Sequence, residues 1–194
     1  MSIDVRELAR CITFIQQAEK LKDVLRSSHT SSGRQESTAE HTWRLCLMAM
    51  VFEPHFSDID FSKLIKICII HDLGEAISGD IPAVEQQPGC DKSDREREDL
   101  ITLIEPLDEQ LRSEFLSLWE QYETGASPEA LLVKGMDKLE TILQHNQGKN
   151  PPDFNYEFNL SYGEKYTSEH PLFVGLRRLI DADTRSHLGA NDGA

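Results

Sequence analysis

Apolar residues recur at intervals of three and four along nearly the whole of this 194-residue chain, and no stretch keeps a two-residue alternation long enough for a sheet. The pattern predicts an all-α fold. Helices are expected over about 4–26, 38–53, 61–72, 92–104, 108–123, 128–146 and 171–185, with shorter turns at about 74–79 and 155–166. The breaks carry their own chemistry. Ser37-Thr38-Ala39-Glu40 is a capping box, with Ser37 as N-cap and Glu40 reaching back. Ser127-Pro128 is an N-cap followed by proline at the first helical position, and Gln87-Pro88-Gly89 and Asn150-Pro151-Pro152-Asp153 are loops. No internal repeat and no long linker divides the chain. A single bundle of about six to eight helices is therefore expected over residues 1–188, followed by a disordered tail, 189–194, with nothing apolar to bury beyond alanine.

Composition narrows the function. Acidic side chains number 34 against 20 Lys and Arg, a formal charge of −14, and so acidic a surface repels a phosphate polymer. No nucleic-acid polymer is expected as a partner. A site for a small phosphorylated substrate must then bring its own positive charge, from a metal or from arginines. The longest uninterrupted apolar run, Leu45 to Phe52, is far shorter than the roughly 20 residues of a membrane span, so no membrane partner is expected either. The first ten residues carry Asp4, Arg6, Glu7 and Arg10 in place of an apolar signal segment, and Cys11, Cys46, Cys68 and Cys90 form no C-x-x-C pair. A cytoplasmic location with reduced thiols is the expectation.

Four polar residues stand where apolar ones belong. His71 follows Leu64, Ile67 and Cys68 at i+7, i+4 and i+3, on the buried stripe of its helix. Asp72 is an acid at the end of that helix, where the macrodipole disfavours negative charge. His41 shares a face with Leu45, Met48 and Phe52, and Asp137 lies beside Val133 and Met136. Taken singly, each reads as a hydrogen-bonded core histidine or as a solvated or lysine-paired acid. Together, two histidines and two aspartates from three helices need a cation to hold the carboxylates among apolar neighbours. One divalent metal ion bound by His41, His71, Asp72 and Asp137 would satisfy all four.

The same residues carry a family resemblance. The order His41, His71-Asp72, Asp137 resembles the H…HD…D pattern of the HD-domain metal-dependent phosphohydrolases. More narrowly, Arg34-Gln35-Glu36-Ser37-Thr38-Ala39-Glu40-His41-Thr42 and His71-Asp72-Leu73-Gly74-Glu75-Ala76-Ile77-Ser78-Gly79-Asp80-Ile81-Pro82 are similar to two signature segments of the small 5′-deoxynucleotidases, within a likeness spanning about residues 5 to 185. The resemblance implies an HD domain over 1–188 and a phosphomonoesterase that hydrolyses (deoxy)nucleoside 5′-monophosphates to nucleoside and phosphate. It also implies a homodimer, with which the amphipathic first helix and the stripe Phe173, Val174 and Leu176 are compatible. It makes Glu75 and Asp80 catalytic, Glu75 positioning water and transferring its proton, Asp80 near the sugar end of the substrate. Arg26, eight residues before Arg34, matches a substrate-contacting arginine of the bacterial enzymes. The tryptophan that follows it there is Ser27 here, which leaves His29 as the nearest ring to stack on a base or sugar. Arg26, Arg34 and His29, around the polar loop Ser27–Gly33, are thus the substrate-binding candidates.

Two imidazoles and two carboxylates offer an N₂O₂ set that neutralises a divalent cation and suits Mn²⁺, Co²⁺ or Fe²⁺, with no thiolate for a soft metal. Residues 73 to 136 contain no histidine, which argues against the dinuclear phosphodiesterase branches, and basic residues ready for a triphosphate are few. Two alternatives stand beside the monophosphatase: another HD-type phosphohydrolase with a diester or triphosphate substrate, and a non-catalytic, metal-stabilised helical bundle. Glu75 and Asp80 weigh against the last, because a purely structural four-ligand site has no use for two further acids.

Overall fold

A computed structural model describes residues 4–81 and 92–191. Its centre is the helix α7 (Pro128–Gln147), on which Ala130, Val133, Met136, Leu139 and Ile142 are fully buried. Around it pack α2 (Thr38–Phe52), α3 (Phe61–Ile70), α6 (Glu109–Thr124), α9 (Glu164–Thr167) and α10 (Pro171–Asn191). The short α4 (Glu75–Ser78) lies against α5 (Lys92–Ile104), which packs on α6 and on the N-terminal α1 (Val5–Ala18), while α8 (Glu157–Ser161) leans on α10. A helix packed against neighbours over most of its circumference must bury polar residues along with apolar ones, and on α7 these include Lys134, Asp137, Glu140, Thr141 and His145. Each needs a partner in the interior. None of the described helices is long and apolar enough to cross a membrane.

Gly135 permits the close crossing of α7 and α10. A Cβ there would stand 2.7 Å from Cδ2 of Phe173 and 2.9 Å from the Tyr166 carbonyl oxygen. The helix starts obey local rules: Ser37, Asp60, Asp108 and Ser127 each accept a backbone N–H of the first turn, Ser37 within the expected capping box.

The all-α expectation holds except at one hairpin. The helix expected over 4–26 ends at Ala18, continues as a 3₁₀ turn (Glu19–Lys22), and gives way to β1 (Leu25–His29), which pairs antiparallel with β2 (Gln35–Ser37). Strands this short, with an irregular register, show too little alternation to be read from periodicity. The serines at 27 and 28 are also poor helix formers that favour such a break. Gly33, at φ +88°, closes the turn, in which the Thr30 N–H donates to the Arg34 carbonyl at 2.7 Å. At the other end α10 continues to Asn191, past the Gly189 at which the disordered tail is expected to begin. Residues 192–194, the loop Gln87-Pro88-Gly89 and Cys90 lie outside the described residues.

Candidate active site

The buried polar residues of α7 converge with those of two neighbours. α2 presents His41, one turn after its N-cap. His71 is the C-cap of α3, its N–H donating to the Ile67 carbonyl at 3.0 Å, and Asp72 follows in the turn. Asp137 comes from the middle of α7. His41 Nε2 lies 3.1 Å from Asp137 Oδ1 and 3.8 Å from Asp72 Oδ2, and His71 Nε2 lies 3.1 Å from the same Asp72 oxygen. Both imidazoles are buried.

Each ring's other nitrogen fixes its tautomer. His71 Nδ1 donates to the Cys68 carbonyl at 2.8 Å, and His41 Nδ1 donates to the carboxylate of Glu140, which Arg44 Nε grips from its other side at 2.6 Å. With Nδ1 committed as the donor, each ring in its neutral form carries its lone pair on Nε2, and neither Nε2 has a hydrogen-bond partner. Buried lone pairs that face carboxylate oxygens repel unless a cation lies between them. This donor set, with its outer hydrogen bonds already made, fits a divalent ion.

The electrostatics agree. Burial and Arg26 lower the His41 pKa, yet Glu140 and Asp137 carry it up to about 10. Burial pushes Asp72 upward, but His71 and His41 hold it below the usual carboxylate range; Asp137 is held down in the same way by Lys138 and the two histidines. The surrounding carboxylates call for a positive charge at this point, which a metal ion supplies in place of a proton.

Beside the cluster opens a cleft of about 350 Å³. Glu75, the first residue of α4, is only 2% exposed on its wall. Its Oε2 accepts from Thr38 Oγ1 at 3.1 Å and its Oε1 lies 3.6 Å from Lys92 Nζ. Burial, then Asp72 and Asp80, push the Glu75 carboxyl up to about 9 against the pull of Lys92. The close seat of α4 on α5 depends on Gly74, whose Cβ would stand 2.5 Å from the Glu96 carbonyl oxygen. Asp137 Oδ2 accepts from Tyr122 Oη at 2.7 Å and from Lys138 Nζ at 2.8 Å. From β1, Arg26 Nη2 donates to Thr141 Oγ1 at 3.0 Å, and its guanidinium lies 3.6 Å from both Asp72 and Glu36.

His41, His71, Asp72, Asp137, Glu75, Asp80 and Arg26 thus meet at the cluster or line the cleft. Arg34 and His29 do not. The hairpin carries its turn away from the cleft, so that Ser27 and Ser28 line the cleft while Thr30, Ser31 and Arg34 face another depression beside Trp43. Arg34 binds both oxygens of Glu40, at 3.0 and 2.7 Å, and so braces the α2 capping box. Sequence reasoning does not single out Glu140, Lys134, Lys92 or Tyr122. The first two sit three residues either side of Asp137, on its own helical face, a signal present in the spacing. Lys92 and Tyr122 arrive from other helices and leave no local trace.

The HD domain family model matches residues 18–174. A 5′-deoxynucleotidase, HDDC2, of Danio rerio is 32% identical over 186 residues, covering 92% of this chain and 90% of that protein. Its Mus musculus counterpart is 34% identical over 185 residues, covering 93% and 91%. A crystal structure of a predicted metal-dependent phosphohydrolase from Magnetospirillum magnetotacticum MS-1 shares 25% sequence identity at a TM-score of 0.78, covering 93% of this chain and 94% of that one. A family match across most of the chain, set on a histidine and aspartate cluster drawn from α2, α7 and the end of α3, means that this chain belongs to the HD-domain family, with named 5′-deoxynucleotidases among its relatives.

Proposed function

We propose that the protein is a metal-dependent phosphomonoesterase hydrolysing nucleoside 5′-monophosphates, with 2′-deoxynucleotides preferred. The observation that carries this reading is the pair of buried, unpartnered imidazole Nε2 atoms facing two aspartates, at the edge of a cleft that holds the buried acids Glu75 and Glu96 and four cations. The relatives named 5′-deoxynucleotidase support the substrate class. His41, His71, Asp72 and Asp137 would hold one divalent ion, Mn²⁺, Co²⁺ or Fe²⁺, which supplies Lewis acidity when bound, lowering the pKa of water and neutralising charge on a phosphoryl oxygen.

With a cation bound to offset Asp72, one of the charges that raise its pKa, Glu75 would ionise, orient the attacking water and take its proton as the water oxygen bonds to phosphorus. The P–O5′ bond then breaks, and the nucleoside oxygen takes a proton from solvent water. Asp80 lines the cleft, where the family resemblance would set it near the sugar, and Arg26 would offer a charge-assisted contact to the phosphate. Arg26, Lys92 and Lys138 already face carboxylates, whereas Lys134 has no ion-pair partner among the described residues. Its ammonium rests over the Tyr122 ring at 4.2 Å. One spare ammonium suits a single terminal phosphate better than three.

The test is phosphate release from nucleoside mono-, di- and triphosphates and a cyclic dinucleotide, with Mn²⁺ or Co²⁺ supplied. Turnover of 5′-monophosphates is expected, poor on the rest; activity on a diester alone would refute the reading. A kcat/KM ratio near one for dAMP against AMP would show that Ser27, in the place of a tryptophan, has relaxed the sugar preference. A second copy of this chain covers the exposed apolar face of Leu47, Val51, Leu143 and Leu179, a contact that light scattering with Leu179→Lys would test. Phe173 of the stripe read from the sequence is core and contributes nothing there. Cys11, Cys46 and Cys68 are free thiols, in keeping with a cytoplasmic setting.

A further inference from the structure

We infer that His145 reads the nucleoside half of the substrate, its Nε2 accepting a hydrogen bond from a sugar hydroxyl or a base N–H. The inference rests on the monophosphatase reading above and extends it to a residue outside both signature segments.

His145 lies near the C-terminal end of α7, is 6% exposed, and lines the same cleft as Asp72, Glu75 and Asp137. Its ring is locked. Nδ1 stands 2.8 Å from Asn159 Oδ1, and Phe154 packs edge-on at a centroid distance of 4.9 Å. The Asn159 amide is itself fixed, because its Nδ2 donates to Asn146 Oδ1 at 3.4 Å. Asn146 is fixed in turn: its Oδ1 accepts from Thr184 Oγ1 at 2.9 Å and its Nδ2 donates to the Ile180 carbonyl at 2.9 Å. Turning either amide over would set donor against donor or oxygen against oxygen. Asn159 therefore presents an oxygen to the ring, the proton sits on His145 Nδ1, and Nε2 is a pure acceptor. That Nε2 is buried and has no hydrogen-bond partner.

A buried, unpaired acceptor in a ring that cannot rotate away costs free energy unless a donor arrives to meet it. Burial lowers the imidazole's pKa, and Arg26 lowers it further, while the Asn159 bond and Glu140 raise it; the net shift is downward and keeps the ring neutral. The site is thus built for a donor rather than for an anion.

Position says which donor. Asp137 and His145 are eight residues apart on one helix, roughly 12 Å along its axis. Between them Thr141 accepts from Arg26; Phe158, next to Asn159, and Tyr162, whose ring lies under the Lys138 ammonium at 5.2 Å, both form part of the cleft wall, with ring centroids 4.9 Å apart. A phosphate seated at the Asp137 end directs the nucleoside toward His145. The donors a nucleoside offers there are its sugar hydroxyls and the N–H groups of its base, and the Phe158 ring in the cleft wall suits a flat base.

The two sources are separated by substrate. Steady-state kinetics would compare dAMP, 2′,3′-dideoxyAMP and the purine 2′-deoxyriboside monophosphate that lacks the 6-amino group, on wild type, His145→Phe and His145→Gln. Wild type is expected to lose about tenfold or more in kcat/KM on the analogue missing the donor that His145 reads. His145→Phe should lose that discrimination, and His145→Gln, which keeps an acceptor, should restore part of it. Equal treatment of all three substrates by wild type, or discrimination that survives His145→Phe, would overturn the inference. Should either variant fail to fold, the wild-type substrate comparison stands alone. A ¹⁵N spectrum of the histidines on addition of 2′-deoxyadenosine gives a readout free of turnover: a shift at the unprotonated nitrogen of His145 supports the inference, and none refutes it. Inactivity on every monophosphate with that shift present would instead sink the phosphatase reading and leave the nucleoside site standing.

Discussion

Glu140→Gln removes one charge and almost no volume, yet the surroundings of Glu140 make it a severe change. Both carboxylate oxygens act as acceptors, one for His41 Nδ1 and the other for Arg44 Nε at 2.6 Å. A glutamine has one acceptor oxygen. If that oxygen faces His41, the amide N–H₂ meets the Arg44 donor; if it faces Arg44, the N–H₂ meets His41 Nδ1 and drives the proton to Nε2, where it blocks ligation. Losing such an orienting partner costs about 10–100-fold in metal affinity, or roughly 1.4–2.7 kcal/mol. Glu140 is fully buried, so the mismatched donor also costs about 1–3 kcal/mol of stability. At this chain length that is a Tm lower by roughly 2–12 °C. Chelator competition for Mn²⁺ and calorimetry of the metal-free protein measure the two effects. Adding Arg44→Leu removes the competing donor and frees the amide to turn its oxygen to His41, so the double variant should regain much of the lost affinity. Affinity within twofold of wild type in Glu140→Gln, or purely additive losses in the double variant, would refute the tautomer argument.

Glu75→Gln should lower kcat by about 10²–10⁴-fold while metal content by elemental analysis stays unchanged; loss of the metal would make Glu75 a ligand instead. Arg26→Ala should raise KM and lower kcat/KM for every monophosphate alike, since the contact it removes is to the shared phosphate; a loss confined to one base would place Arg26 elsewhere. Gly135→Ala gains about 1 kcal/mol of helix propensity, but it drives a methyl into the buried Phe173 ring and a backbone carbonyl. Overpacking of that kind costs about 1–3 kcal/mol, so urea denaturation should show net destabilisation, and a midpoint equal to or above wild type would contradict the packing described.

What was legible in the sequence was local. The Ser37 capping box, the proline start of α7 and the placing of His41 and His71 on apolar stripes each depend on residues within a turn or two of one another. The hairpin was not legible, because β1 and β2 are held by each other and by α7 rather than by any pattern of their own. The same blindness separates Arg26 from Arg34. Both flank one polar loop, and only the strand pairing sends the first to Thr141 and Asp72 and leaves the second on the outside with Glu40. Lys92 reaches Glu75 from α5, and Tyr122 reaches Asp137 from α6, through contacts that no spacing announces.

Arg26, Lys92, Lys134 and Lys138 line a cleft inside a molecule whose net charge is −14. An approaching nucleotide meets repulsion first and attraction only at close range, since at physiological ionic strength a charge is largely screened beyond about 8 Å. Salt then works in two opposed directions. It weakens the outer repulsion and so quickens encounter, while it loosens the inner contacts, which are partly buried and therefore respond less. Capture should quicken with moderate salt before retention begins to fail, the reverse of what an electrostatically steered enzyme shows. The fold sets opposite charges at two depths: an acidic exterior that disfavours an approaching anion, and a cleft in which Lys134, without an ion-pair partner among the described residues, and the cations paired beside it are there to meet one that enters.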